Sequence, residues 1–305
     1  MKWVRRIAIT LGVVLVLAYL GGMAAMYFLQ RSFQYDPGAE VLPLSQTALA
    51  GAELVTIPTG GGATSTGWYQ PPEAGRPLII YYKGNADNFT AEHIRYEAFT
   101  ADGYGFLAFD YRGFPASPGA ISQANILEDA LSVFDWVKAK GYPIVIWGRS
   151  LGSGPATYVA SEREADALLL ETPFDSALSV GQERYWFFPV NLLMLDQFPV
   201  DQWIADVSEP VFVALGTADK TIPYHHGQRV YDLAPNKYDE WIVEGAGHSD
   251  LWKAGIWEQA KGFYVAAEIA TWGPLLGEGV VTVQLNNIVR APSDEGSSSA
   301  PPSAN

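Results

Sequence analysis

The first feature of the hydrophobic pattern is an apolar run near the N-terminus. From Ile7 to Leu29 the chain carries no charged residue, and about 20 apolar residues are enough for a helix to cross the hydrocarbon core of a bilayer. The charges that flank the run are Lys2, Arg5 and Arg6 before it and Arg31 after it. Because basic residues favour the cytoplasmic side, we expect the N-terminus in the cytoplasm and the rest of the chain on the extracytoplasmic side.

A cleaved signal peptide is the alternative interpretation of this run. The tripeptide Gly22-Met23-Ala24 weakly resembles a small-residue cleavage site. The apolar run, however, is longer than the apolar region of a signal peptide, and it continues past the tripeptide as far as Leu29. An uncleaved membrane anchor is therefore the favoured prediction.

Short apolar runs then alternate with helical patterns. Residues Ala52–Pro58 and Ser65–Gln70 predict a hairpin around a glycine-rich turn. Further strands are predicted at Leu78–Tyr82, Phe106–Asp110, Ile144–Trp147, Ala167–Glu171, Pro210–Leu215 and Glu240–Val243. Helices are predicted at Phe89–Ala101, Ser122–Lys140, from the turn after Trp147 to about Ser161, Tyr224–Leu233 and Asp250–Thr271. Strands alternating with helices indicate an α/β fold with a mostly parallel central sheet flanked by helices.

The same pattern divides the chain into segments. We predict a membrane anchor over 1–31, a stalk over 32–51, an α/β domain over 52–290 with an insertion at about 172–209, and a disordered tail over 291–305. Residues Glu278–Val289 are predicted as a short strand pair. The apolar part of the insertion, Tyr185–Leu195, is too short to span a membrane. It is predicted to line a pocket as a lid or cap, to touch the membrane surface, or to pack onto the sheet edge.

Composition excludes several classes of function. The net charge of -14 argues against nucleic acid as a partner and against electrostatic docking on anionic lipid. The chain has no cysteine, which excludes thiol catalysis, thiolate metal sites and disulfides.

The candidate chemistry centres on Ile144–Gly154, with the sequence IVIWGRSLGSG. A strand leads into Gly-x-Ser-x-Gly, and a helical segment follows. A sharp turn between strand and helix places its serine in a strained conformation, and glycines allow the close packing around it. Ser150 is therefore a candidate nucleophile, although an incidental serine in a glycine-rich turn matches the pentapeptide equally well.

A serine nucleophile needs a base and an orienting carboxylate. Of the four histidines, His248 follows the last predicted strand in a glycine-rich loop and is the favoured base. Asp219, after the penultimate strand, is the favoured acid, with Asp175 as its competitor. The remaining histidines, His93, His225 and His226, are predicted to lie on helices in structural or surface roles.

Transition-state oxyanions are stabilised by backbone N–H groups. One donor is expected at Leu151, after the candidate nucleophile. The other is expected in the loop that follows Leu78–Tyr82, at Asn85, with Ala86 as the fallback.

Several motifs together resemble the α/β-hydrolase superfamily: KGNADN, DYRGFPASPG, GRSLGSG, ETPF, GTADKTIP and GAGH. They are similar to a membrane-anchored group of esterases and acyl-protein thioesterases whose oxyanion loop reads His-Gly-Asn-Ala. The resemblance implies Ser150, Asp219 and His248 as a triad and Asn85 and Leu151 as oxyanion donors. Two positions depart from the pattern: Lys83 replaces the usual His, and Pro115 replaces a common Gly. We expect the first to change pocket polarity while activity is retained.

The resulting prediction is a single-pass membrane-anchored serine hydrolase. It would cleave an ester or thioester of a hydrophobic acyl substrate through an acyl-enzyme, with no metal or cofactor. A peptidase or amidase on the same triad is one alternative. A catalytically silent hydrolase-fold protein that binds a lipid or partner is the other. The sequence does not indicate an oligomeric state.

Overall fold

The structure, a computed structural model, describes residues 1–38, 40–267 and 269. The predicted strand pair Glu278–Val289 and the predicted tail 291–305 lie outside the described residues.

The described part of the chain forms one eight-stranded sheet flanked by helices. The strands are β1 Glu53–Pro58, β2 Thr64–Gln70, β3 Leu78–Tyr82, β4 Gly105–Phe109, β5 Ile144–Arg149, β6 Ala167–Glu171, β7 Val211–Gly216 and β8 Lys237–Val243. Their order across the sheet is β1-β2-β4-β3-β5-β6-β7-β8. Strand β2 runs antiparallel to β1 and β4, and the other pairings are parallel. The predicted α/β class with a mostly parallel sheet is confirmed.

The helices are α1 Lys2–Gln34, α2 His93–Ala101, α3 Gln123–Lys138, α4 Ser153–Glu162, α5 Ala177–Arg184, α6 Val190–Leu193, α7 Val200–Trp203, α8 Tyr224–Leu233, α9 Leu251–Ala254 and α10 Ile256–Ala266. The sequence predicted one helix over Asp250–Thr271, but the chain breaks between α9 and α10 at Gly255, whose φ is +101°. Such a left-handed conformation interrupts a helix and favours glycine. Strand β8 begins at Lys237, before its predicted start, because none of the residues of that edge strand is buried and no apolar run marks its beginning.

Strand β3 shows how the central strands build the core. Every residue from Leu78 to Tyr82 is buried. Alternate residues point to opposite faces, so Ile79 and Tyr81 pack into the core on one side, and Leu78, Ile80 and Tyr82 into the core on the other. Burial on both faces explains why these strands appear in the sequence as continuous apolar runs.

Helix α1 contains the predicted apolar run and continues past it to Gln34. Within the described residues it is the one helix long and apolar enough to cross a membrane, and none of its residues is buried. The segment predicted as a stalk packs onto the domain: Tyr35 and Leu49 are buried, and Asp36 forms a β-bridge with Ala86.

Helices α5, α6 and α7 form the cap, the insertion between β6 and β7. Its Asp196, at the end of the apolar segment, is buried against α1 and accepts a hydrogen bond of 2.9 Å from Nε of Arg31. The cap and the C-terminal end of α1 are therefore in direct contact.

Buried charges tie the carboxyl ends of β5 and β6 to α2. Glu171 is fully buried and accepts two hydrogen bonds from Arg95, at 2.8 and 2.9 Å. The indole N–H of Trp147 also donates to Glu171, and Arg149 lies 3.6 Å from it. Removing one partner of such a network leaves a buried charge without compensation.

We expect Glu171→Gln to lower the free energy of unfolding by about 3 kcal/mol, because Arg95 and Arg149 lose their shared carboxylate. The matched control is Asp135→Asn, which breaks a similar forked contact to Arg163 on the surface. That change should cost less than about 1 kcal/mol. Denaturant unfolding of both variants in detergent measures the difference. Equal losses of unfolding free energy in the two variants would contradict the role of Glu171 in a buried charge network.

Candidate active site

Ser150 occupies a strained turn between β5 and α4. Its φ is +51°, a conformation that is uncommon for a residue with a side chain and is concentrated at functional sites. The glycines around it permit close packing. A Cβ on Gly152 would lie 1.9 Å from the carbonyl oxygen of Tyr82, and one on Gly148 would lie 2.5 Å from Cβ of Ala156. The turn therefore requires both glycines of the motif.

The structure brings Ser150, His248 and Asp219 into one hydrogen-bonded chain. Nε2 of His248 lies 2.8 Å from Oγ of Ser150, and Nδ1 of the same ring lies 2.7 Å from Oδ2 of Asp219. These three residues come from three loops, each at the carboxyl end of a parallel strand, which is where open α/β sheets place their sites.

Local contacts hold the acid and the imidazole in position. The other carboxylate oxygen of Asp219 accepts hydrogen bonds from the backbone N–H groups of Thr221 and Ile222, at 2.8 and 2.9 Å. The two loops are joined because the N–H of Ala218 donates to the carbonyl of Ala246. The carboxylate is therefore oriented before any substrate binds.

Asp175, the competing acid, has a different partner. Its Oδ1 lies 2.8 Å from Nδ1 of His226 and also contacts Ser179. Burial works against ionisation of Asp175, but the hydrogen bonds from His226 and Ser179 outweigh it and hold the pKa of that carboxyl below its usual value. The other side of the His226 ring contacts Glu183 at 3.0 Å.

The two remaining histidines also have partners away from Ser150. His93 contacts Glu97 at 3.0 Å, and His225 contacts Glu183 at 3.3 Å. Among the described residues, Glu183, His225 and His226 form the one group whose ligand atoms all lie within 4.8 Å of one another, as a metal ion would require. Glu183 contacts both imidazole rings, so the three side chains also have partners within the protein.

A cavity of about 510 Å³ contains Ser150, and its walls are largely apolar. Leu151 and Asn85, the predicted oxyanion donors, line it together with the serine. Helices of the cap form one wall, for example at Val180 and Val190. Helix α1 forms another, with Met26, Gln30, Phe33 and Gln34. The volume is within the usual range for a ligand pocket.

The end of α1 also holds the side chain of Asn85. The carboxamide donates to the carbonyl of Gln34 at 2.9 Å and accepts from the N–H of Asp36 at 3.1 Å. This role of α1 was not predicted, and no local pattern reveals it, because the two segments are far apart in sequence. Arg149 was missed as well, although it lies within the serine motif; it joins Glu92 at 3.1 Å and Ser249 at 3.2 Å.

Lys83 supports the loop that carries Asn85. Its ammonium donates to the carbonyls of Gly84 and Asp87, at 3.1 and 2.9 Å, and lies 3.7 Å from the centre of the Phe114 ring. Burial lowers the pKa of this lysine to about 8, and the nearby Asp110 carboxylate opposes the shift. Since all of these contacts lie beneath the loop, Lys83 positions its backbone.

The lowered pKa of Lys83 makes stability depend on pH. Below about 8 both the folded and the unfolded chain keep the proton. Between about 8 and the ordinary value of 10.5 only the unfolded chain does, so the free energy of unfolding rises with pH, by up to about 3 kcal/mol.

We expect Lys83→Met to abolish this rise, because the variant has no proton to lose at that position. The exposed lysine variant Lys253→Met should retain it. Denaturant unfolding at intervals from pH 7.5 to 10.5 measures both slopes, and an unchanged slope in Lys83→Met would overturn the argument.

Several known proteins are similar to this chain in sequence. No protein-family model matches the chain. An uncharacterized protein of Mycobacterium tuberculosis is 31% identical over 227 residues, which cover 72% of this chain and 81% of the relative. Lysophosphatidylserine lipase ABHD12 of Rattus norvegicus is 34% identical over 190 residues, which cover 55% of this chain and 48% of that protein. The chain thus spans about half the length of that relative.

Solved structures share the fold of this chain. The esterase Pf2001 of Pyrococcus furiosus superposes with a TM-score of 0.61 at 20% identity, over 77% of this chain and 98% of the esterase. The predicted superfamily and enzyme class are confirmed: the chain belongs to the α/β-hydrolase superfamily and is a serine hydrolase.

Proposed function

We propose that this protein is a membrane-anchored serine hydrolase that cleaves carboxylic esters or thioesters of hydrophobic acyl groups. The observation that carries the proposal is the hydrogen-bonded chain from Ser150 through His248 to Asp219 at the wall of an apolar cavity. The matches to a lipase and to an esterase support the same reaction class.

In the first half of the reaction, Oγ of Ser150 attacks the acyl carbonyl carbon and its proton passes to Nε2 of His248. Asp219 holds the imidazole in the required tautomer and stabilises the imidazolium that forms. When the tetrahedral intermediate collapses, the bond to the leaving oxygen or sulfur breaks and His248 returns the proton to that atom. The alcohol or thiol leaves, and the acyl group remains on Ser150.

In the second half, water attacks the acyl-enzyme and gives a proton to His248, which then protonates Oγ of Ser150 as the carboxylic acid is released. The oxyanion in both halves would be held by the backbone N–H groups of Leu151 and Asn85. Asn85 is preferred to Ala86 because Asn85 lines the cavity beside Ser150. The glycine before it, Gly84, packs close to Arg149 and Ser150.

The membrane location follows from α1. We infer that α1 spans the bilayer with the basic N-terminal residues in the cytoplasm, so that the hydrolase domain faces the extracytoplasmic side. The support for this is the length and apolar character of the helix and the basic residues before it.

The triad assignment is tested with three variants. Ser150→Ala should abolish labelling by a fluorophosphonate probe and hydrolysis of p-nitrophenyl butyrate. Asp219→Asn should lower kcat by about 10⁴-fold, because the imidazole loses its orienting carboxylate. Asp175→Asn is the matched control, since its partner is His226, and it should change kcat by less than about tenfold.

Two outcomes would contradict this assignment. If the wild type is not labelled while control hydrolases react, the protein is a silent binding protein. If Asp175→Asn lowers kcat as much as Asp219→Asn does, the acid is misassigned. Running matched p-nitrophenyl ester, acyl-thioester and p-nitroanilide substrates in parallel separates an esterase or thioesterase from an amidase.

The topology is testable because the chain has no cysteine. A single cysteine at the exposed position Glu162 should react with a membrane-impermeant maleimide on intact cells or spheroplasts. A cysteine at Lys2 should react only after the membrane is permeabilised. The opposite pattern would reverse the proposed orientation.

A further inference from the structure

The apolar segment of the cap has two faces. Four of its residues, Tyr185, Val190, Leu193 and Met194, line the cavity that contains Ser150. Four others point away from it and are exposed: Trp186 at 81%, Phe187 at 50%, Leu192 at 75% and Leu195 at 52%. We call residues 185–195 the cap loop. Large apolar side chains that cluster on a surface in this way mark a contact with another apolar phase or partner.

The position of the cap loop along α1 indicates what covers it. The hydroxyl of Tyr19 donates to the carbonyl of Phe187 at 3.0 Å, and the Tyr19 ring stacks on Phe188 at 5.4 Å. Tyr19 lies about ten residues before the end of the apolar run at Leu29, which corresponds to about 15 Å along a helix. When α1 spans the bilayer, the exposed face of the cap loop therefore lies at the depth of the lipid chains.

Helix α1 is also a wall of the cavity. Its lining residues run from Met26, inside the apolar run, to Gln34, beyond it, a distance of about 12 Å along the axis. The cavity thus extends from the hydrocarbon region towards the aqueous side, where Ser150 lies. The negative net charge of the chain leaves apolar insertion as the main source of affinity for this surface.

Specific contacts keep α1 and the cap loop together. Gln30 donates to the carbonyl of Leu193 at 3.0 Å and accepts from the N–H of Leu195 at 2.7 Å. Gln34 donates to the carbonyl of Asp196 at 2.8 Å, beside the ion pair of Asp196 with Arg31. These bonds join the two elements near the C-terminal end of α1, and the bond from Tyr19 to Phe187 joins them further into the apolar run.

We propose that the space between α1 and the cap loop is the acyl-binding site for a lipid ester that stays in the bilayer. One fatty acyl chain enters from the leaflet along α1, and the ester group reaches Ser150 near the aqueous surface. The cap loop is inserted in the same leaflet through Trp186, Phe187, Leu192 and Leu195. This inference rests on the proposed hydrolase function and assigns its substrate class and the route by which substrate arrives.

The insertion is measured without any catalytic readout. In the full-length protein in phosphatidylcholine vesicles, a cysteine at Trp186 carrying an environment-sensitive fluorophore should show a blue-shifted emission. Lipids with a nitroxide in the acyl chain should quench it. A labelled cysteine at Leu54, an exposed apolar residue on the edge strand β1, should show neither effect. Equal behaviour at the two positions would overturn the insertion.

The acyl route is measured with two substrates, a long-chain monoacylglycerol in vesicles and soluble p-nitrophenyl butyrate. The double change Trp186→Ser with Phe187→Ser should lower the ratio of long-chain to butyrate activity about tenfold. Leu54→Ser should leave that ratio unchanged. A ratio that is unchanged in the double variant would contradict the route.

A second variant tests the proposed acyl-binding site. Cβ of a residue at Gly181 would point at Val190 and Met194, at 3.3 and 3.7 Å, so Gly181→Leu should fill the cavity and shift the preferred p-nitrophenyl ester to a shorter chain. An unchanged preference would contradict the acyl site. Ser150→Ala separates the two proposals: if it retains activity, the assignment of Ser150 as the nucleophile fails, while the fluorophore still reports whether the cap loop is inserted.

Discussion

The carbonyl of Tyr82, at the end of β3, lies where a side chain on Gly152 would stand. This close approach joins two neighbouring strand ends, one carrying the candidate nucleophile and the other leading to the loop of Asn85. It holds Ser150 at a positive φ and directs the hydroxyl into the cavity beside Leu151. The loops after β7 and β8 complete the site because they bring Asp219 and His248 to Ser150.

Two charged groups are buried at the carboxyl edge of the sheet, next to the site. Lys83 is desolvated beneath the loop that carries Asn85, and Glu171 is fully buried among arginines below the turn that carries Ser150. Both are stabilised by hydrogen bonds of good geometry, which such groups need. Neither touches the hydrogen-bonded chain of Ser150, His248 and Asp219. Their contacts hold the loop of Asn85 and the ends of β5 and β6 in place.

The apolar elements outside the sheet share one function in this interpretation. Helix α1 and the cap loop contact each other through Tyr19 and Phe188, and both line the cavity of Ser150. The helix proposed to anchor the protein also completes the pocket and, through Gln34, holds Asn85. If α1 were removed, the remaining domain would lack one wall of the pocket.

The sequence by itself determined the alternation of strands and helices, the long apolar helix and the serine turn, because periodicity and glycine positions are local properties. It also favoured Asp219 over Asp175, although both residues follow a strand. Only the folded structure shows that His248 pairs with Asp219, whereas His226 pairs with Asp175. The contacts of Lys83, the two faces of the cap loop and the wall formed by α1 depend on residues far apart in the chain. Tertiary packing decided them, since no local pattern records which distant surfaces meet.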